Sequence, residues 1–275
     1  MTIDKKIYLW PQWTYNSFTF TKKVDDSLLR YLGEAQSCLW QALNIYDDIM
    51  DNEGGNNQLS LANQDTRRFI KTFYDIKLSD RFYGKFHRVM EKLEVYNQKE
   101  IERYRARMIN GKIIIPHHLP KFKNITQISD KSLPLALSSL AVLDYANYKS
   151  GCNKATGIMN FFTLFLSAKQ LSDDVSDWQK DLKRGFITPI TAIIMKEFEG
   201  IDMENDLEQI LLIFINNISL GTADQILKLC LSARKELRKI NAKEDCDLIT
   251  NLLLPLEKSA NKSLKFYETL NNATI

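Results

Sequence analysis

The run AKQLSDDVSDWQKDLKRG, residues 168–185, decides how the rest of the chain is read. A helix turns by about 100° per residue, and on that wheel Asp173, Asp174, Asp177 and Asp181 fall within about 100° of arc. Gln170 and Arg184 project into the same arc, with Lys169 and Lys180 at its edge, while Val175 and Leu182 lie opposite. Like charges three or four residues apart weaken a helix. A face that gathers them beside lysine and arginine therefore predicts a bound cation and an anionic ligand. A second acidic run, LNIYDDIMDNEGG at 43–55, places Asp47, Asp48 and Asp51 on one face in the same way. Either run alone reads as a solvated acidic face, whereas two of them, with cations beside the second, favour a metal site. Oxygen-only ligands suit Mg²⁺, which takes a few carboxylates together with the phosphate oxygens of a substrate. The expectation is that both runs face one cavity mouth and hold the metal jointly.

Composition narrows the alternatives. The chain has 275 residues, 44% of them hydrophobic, enough to bury a large core. Lys and Arg number 37 against 34 Asp and Glu, interleaved rather than blocked, so no nucleic-acid partner is expected. The N-terminus has no apolar stretch of signal-peptide type, and no segment reaches the ~18 uninterrupted apolar residues of a spanning helix. A cytoplasmic protein without a transmembrane segment is the reading. Cys38, Cys152, Cys230 and Cys246 stand far apart with no CxxC pair, so free thiols are expected. His117-His118 sits between prolines, in a loop without ligand spacing around it.

Ten glycines and six prolines punctuate the chain, and apolar residues recur at helical spacing over long windows. The spacing predicts a first long helix from Ser27 to the Gly54-Gly55 stop, a second over 62–77, and a third from Ser79 to about Asn110. Residues 112–130 read as a loop with an extended piece at 113–115. Helices follow over 131–148 and 153–184. Thr188-Pro189 reads as an N-cap with proline at the first helical position, opening a helix to about Glu199. Further helices are expected over 204–219, 223–240 and 244–270. RYRARM at 103–108 reads as a solvated helix face, and Trp178 as a packing residue. The sum is an all-α bundle of eight to ten helices in a single domain, 1–275.

The two runs resemble the motifs of the class I isoprenoid synthases. DDIMD at 47–51 looks like their aspartate-rich motif. The second run fits two branches in register. Asp173, Asp174, Asp177, Lys180 and Asp181 match the terpene-cyclase pattern, with aspartate in place of its Asn and Ser. Gln170, Leu171, Asp177, Asp181, Arg184 and Gly185 match the squalene and phytoene synthase pattern. The basic segment that precedes the first motif in head-to-tail prenyl synthases is absent, and Arg67-Arg68 lies later than their arginine pair.

The resemblance implies a helical bundle around a central cavity and three Mg²⁺ per site. It implies a terpene synthase that ionises a linear prenyl diphosphate, and homodimers are frequent in such families. Asp47, Asp48, Asp51, Asp173, Asp174, Asp177 and Asp181 become the metal-ligand candidates, with Asp48 and Asp174 as ligands or supports. Asp47, Asp51, Asp177 and Arg184 are the catalytic candidates. Arg67, Arg68, Lys169, Gln170, Lys180, Arg184, Phe162 and Phe165 are the substrate-binding candidates. Two alternatives stay open: an enzyme joining two prenyl diphosphates, and a catalytically silent partner subunit.

Overall fold

A computed structural model of the chain describes residues 3–20, 22–51, 53–146 and 153–273. About 76% of the chain is helical, so the all-α class holds. Among the described residues the α-helices are α1 (Trp10–Ser17), α2 (Asp26–Met50), α3 (Leu59–Ile76), α4 (Asp80–Arg103), α5 (Leu137–Tyr145), α6 (Asn153–Lys183), α7 (Pro189–Met195), α8 (Leu207–Ile213), α9 (Leu220–Lys239) and α10 (Leu254–Ala273). Three short strands, β1 (Arg107–Ile109), β2 (Lys112–Ile114) and β3 (Gly200–Asp202), form an antiparallel sheet in that order. Tight 3₁₀ turns cover Ile3–Leu9, Asn56–Gln58, Ile125–Lys131 and Leu133–Ala136, and wider π-turns cover Phe214–Ser219 and Ile249–Leu253.

The chain divides into two compact units. The first comprises Met1–Leu93, Ser132–Phe162 and Ala233–Leu252. In it α2 packs along α3, and the 3₁₀ segment Ile3–Leu9 lies on α2. That approach needs Gly33, where a Cβ would meet the Tyr8 carbonyl oxygen at 2.3 Å. The Gln36 amide donates to the Ile7 carbonyl at 2.9 Å in the same buried seam. Phe69 and Phe73 of α3 meet Phe82 and Phe86 of α4 in stacked, tilted and edge-on pairs, with centroids 5.1–6.2 Å apart. Each such side chain contributes roughly 1.5–3 kcal/mol on burial. The Asp144 carboxylate accepts from both the backbone amide and the hydroxyl of Ser79, tying the α3–α4 turn to the end of α5.

The second unit comprises Glu94–Lys131, Thr163–Ser232 and Leu253–Ile275. Its core gathers Ile113, Trp178, Leu182, Ile187, Ile190, Ile194, Ile201, Ile210, Phe214 and Ile218. Trp178 stacks on Phe214 with centroids 4.8 Å apart, the packing role expected of it. Helix α6 stops where Gly185 turns left-handed at φ 72°. The Gly185 amide donates to the Leu182 carbonyl at 2.9 Å and the Phe186 amide to the Asp181 carbonyl at 2.8 Å, a Schellman-type closure. The Gly185 carbonyl then accepts from the Ala106 amide at 2.7 Å, pinning the helix end to the strand entering the hairpin.

Five expectations about elements are corrected. The third helix ends at Arg103, not near Asn110, because Asn110 (φ 50°) and Gly111 (φ 80°) form the tight turn of a β1–β2 hairpin. Two successive left-handed residues, with glycine second, are the turn such hairpins need. Consequently RYRARM is mostly extended, and Arg105 lies over the Phe186 ring at 4.0 Å. The helix opened by Thr188-Pro189 has the expected cap, with Thr188 and Thr191 bonding reciprocally, but it stops at Met195 and gives way to β3. Residues 131–136 form 3₁₀ turns ahead of α5, and residues 147–148 lie outside the described residues. The helices expected over 204–219 and 223–240 are one continuous run, α8 and α9 joined by the Phe214–Ser219 π-turn.

That run, Leu207–Lys239, is long and apolar enough to cross a bilayer by length and composition. Ile210, Phe214 and Ile218 of this run are taken up by the core of the second unit, whereas Leu207, Leu212 and Leu231 are exposed. Cys38 is half-buried, Cys230 and Cys246 are buried, and all three are free thiols; Cys152 lies outside the described residues.

Gly185→Ala forces a side chain into the left-handed region and 2.7 Å from the Ala106 carbonyl oxygen. It is expected to cost about 2 kcal/mol or more. A lowered urea midpoint by circular dichroism checks this, and an unchanged midpoint contradicts it.

Candidate functional site

The first acidic run belongs to the first unit and occupies the last turns of α2. Ala42, Ile45, Tyr46 and Ile49 pack towards Ala62 of α3. The Tyr46 hydroxyl donates to the Asn63 side-chain oxygen at 2.8 Å, fixing that face. Asp47 and Asp51 are half-buried and Asp48 is exposed. The Asp51 amide donates to the Asp47 carbonyl at 2.9 Å, and the Glu53 and Gly54 amides close on the Asp48 carbonyl at 2.8 and 2.9 Å. The backbone thus terminates within the motif. A helix C-terminus carries partial negative charge that disfavours carboxylates by roughly 0.3–1 kcal/mol each. No basic residue stands in the last turn of α2 to offset this. Three acids at such a place form a position where a cation is favoured twice over.

Arg67 and Arg68 lie on α3 of the same unit, both exposed. Arg68 stands 3.5 Å from the carboxylate of Asp65, which is 2% exposed. The other Asp65 carboxylate oxygen has no hydrogen-bond partner, so Arg68 is the compensating charge for a buried acid. Burial, reinforced by the Asp65 charge, pushes the Cys38 thiol above its ordinary range. Phe162 is fully buried in this unit, stacked on Trp10 at 5.1 Å and edge-on to Phe161 at 5.0 Å.

The second run belongs to the second unit, on the C-terminal half of α6. Its aspartates occupy three different environments. Lys169 donates to both carboxylate oxygens of Asp173 at 2.5 and 2.6 Å, one helical turn apart. Asp174 is only 4% exposed and accepts from the Gln170 amide at 2.8 Å. Asp177 is exposed and Asp181 half-buried, with Lys180 exposed and Arg184 half-buried beside them. Phe165 is fully buried. Lys180 and Lys183 in the last turn of α6 complement the helix end, in contrast to α2.

Asp174 has neighbours that sequence reading missed. Burial pushes its carboxyl up to about 7, opposed by the Gln170 hydrogen bond and the Lys131 charge, and reinforced by Asp181 and Asp173. Lys131 stands 3.5 Å from Glu100. Tyr96 is raised by burial and then by the Glu100 charge. Tyr96 and Glu100 come from α4 and Lys131 from the 3₁₀ turn ahead of α5, so no local spacing marks them as partners of α6.

Among the described residues no three or more His, Cys, Asp or Glu side chains are gathered as a complete protein cage for a metal. Mg²⁺ does not require one, since it is held by one or two carboxylates plus substrate phosphates. The oxygen-only pairs Asp47/Asp51 and Asp177/Asp181, each one helical turn apart, fit that demand. Comparison with protein-family models and with curated proteins finds no match to this chain.

In metal-free protein the raised carboxyl of Asp174 has a definite consequence. Between about pH 4 and pH 7 the folded chain holds a proton that the unfolded chain has released. Rising pH therefore removes stability across that window, on the order of 4 kcal/mol, and none above it. In EDTA, Asp174→Asn should match the wild type in urea near pH 4 and exceed it at pH 8. Equal midpoints at both pH values would contradict the buried, protonatable state.

Proposed function

We propose that the chain is a Mg²⁺-dependent terpene synthase of the class I isoprenoid type. In this reading it ionises a linear prenyl diphosphate, releases diphosphate and yields a terpene, and it works in the cytoplasm. The observation that carries the proposal is the end of α6, where Asp177, Lys180 and Asp181 stand in its last two turns and Arg184 follows directly after it. Carboxylates and cations there can serve a metal–diphosphate group together. The acids at the C-terminus of α2, with no basic residue in the last turn, support it independently.

Asp47 and Asp51 act as ligands from the first motif, and Asp177 and Asp181 from the second. Asp48 is the further ligand at the first, and Asp173 at the second once Lys169 moves off it. Asp174, buried against Gln170, holds its turn of α6 in place and is a support. Bound Mg²⁺ supplies the Lewis-acid charge that makes diphosphate a leaving group. Lys180 and Arg184 donate hydrogen bonds to the departing oxygens, where negative charge grows as the carbon–oxygen bond breaks. Lysine serves as a point charge and arginine as a planar fork, so their roles differ. Arg68 is engaged with Asp65, so Arg67 is the member of the α3 pair that is the candidate for an outlying phosphate contact.

One observation favours a second reading, the joining of two prenyl diphosphates. The squalene and phytoene synthase pattern is filled through Gly185, and that glycine is required by the left-handed turn ending α6. Product mass separates the two, since joining doubles the carbon skeleton.

Purified protein with Mg²⁺ and C10, C15 or C20 prenyl diphosphates is expected to release diphosphate from at least one of them. Asp177→Ala should lower kcat/KM by roughly a hundredfold or more while leaving the helical spectrum intact. The wild type releasing nothing from all three would instead support a silent partner subunit.

A further inference from the structure

The second unit carries a cavity of about 810 Å³ that involves neither acidic run. Its walls come from the loop 115–125 after β2 and from α7 with the residues just beyond it. Ile115, Leu119, Phe122, Ile193 and Phe198 are half-buried, each with one side packed on the core of the unit and the remainder lining the cavity. Pro116 and Pro120 flank the 117–119 segment of the loop and fix two of its backbone angles. The volume falls in the ordinary range for small-molecule sites, roughly 300–1,000 Å³.

Three lysines, Lys121, Lys123 and Lys196, line the cavity together with His117 and His118, all exposed, and among the described residues no acid does. Glu197 and Glu199, next along the chain, are not part of the lining. Half-buried apolar side chains beside exposed lysines in one cavity complement a molecule with an apolar tail and an anionic head. Three lysines suit a doubly charged head better than a single carboxylate, and lysine is a point-charge binder of phosphate.

We infer that this cavity is a binding site for a phosphate-headed amphiphile taken up one molecule at a time. The tail lies on Leu119, Phe122 and Ile193, and the head meets Lys121, Lys123 and Lys196. A prenyl phosphate and a lysophospholipid share this chemistry. The site is separate from the aspartate motifs and stands whether or not these act on diphosphate.

Calorimetric titration in EDTA isolates it, because no metal is then present to recruit phosphate to the acidic runs. Dodecyl phosphate, kept below its micelle concentration, is expected to bind with a Kd of about 1–100 µM. Dodecanol, dodecanoate and inorganic phosphate should each bind at least about tenfold more weakly, since each lacks one part of the match. The triple change Lys121→Gln, Lys123→Gln and Lys196→Gln, all at exposed positions, should weaken dodecyl phosphate about tenfold or more. Ile193→Trp, which narrows the cavity where the tail would lie, should do the same with the lysines intact. Farnesyl diphosphate and lysophosphatidic acid then distinguish the sources: tighter binding of either, lost in the triple variant, supports the site and names its ligand type. No binding of dodecyl phosphate by the wild type, or affinity unchanged in the triple variant, overturns the inference.

Discussion

Carboxylates crowded onto the ends of helices are the constraint on which this account rests. At the end of α2 the acids Asp47, Asp48 and Asp51 oppose both one another and the partial charge of the helix terminus. The fold holds them there through contacts on the other side of the helix, where Ala42 and Ile45 pack on Ala62 and Tyr46 bonds to Asn63. Along α6 the same problem is eased within the protein. Lys169 pairs with Asp173, Gln170 bonds Asp174 and the last turn supplies lysines. Asp177 is exposed and Asp181 half-buried at the far end of that run. The division gives α6 a supported turn and a working turn.

The burial of Asp174 shows how the supporting turn is built. A carboxyl at 4% exposure is costly when ionised, and here its pKa rises to about 7 in response. Tyr96, Glu100 and Lys131 surround that position with a polar network inside the second unit. The accessible pair lies one and two turns further along the same helix, so its placement inherits the rigidity of this buried anchor. Trp178, stacked on Phe214, and Leu182 provide the apolar side of the same turns.

Much of the helical layout was legible because period-3.6 patterning survives in amphipathic helices. The starts of α2, α3 and α6 and the Thr188-Pro189 cap follow from local chemistry alone. The small sheet did not follow. Its strands are three residues each, too short for alternation to register, and Asn110-Gly111 serves equally well as a helix stop and as a hairpin turn. Strand β3 depends on a partner far along the chain, with Ile201 opposite Ile113. The π-turn at Phe214–Ser219 keeps a helix running where a break was expected, because apolar residues stay on the core face through it. In the acidic runs, residue type and spacing were visible but environment was not. Nothing local distinguishes buried Asp174 from exposed Asp177, and nothing local marks Arg68 as the partner of a buried Asp65.

The central claim is that the carboxylate pairs Asp47/Asp51 and Asp177/Asp181 are metal ligands in the presence of diphosphate. The most direct measurement is a crystal structure with Mn²⁺ and pyrophosphate, phased on the manganese anomalous signal. The account predicts metal peaks at both pairs, at about 2.1–2.2 Å from carboxylate oxygens, with pyrophosphate completing the coordination. Metal bound elsewhere, or pyrophosphate bound with neither pair coordinated, would contradict it.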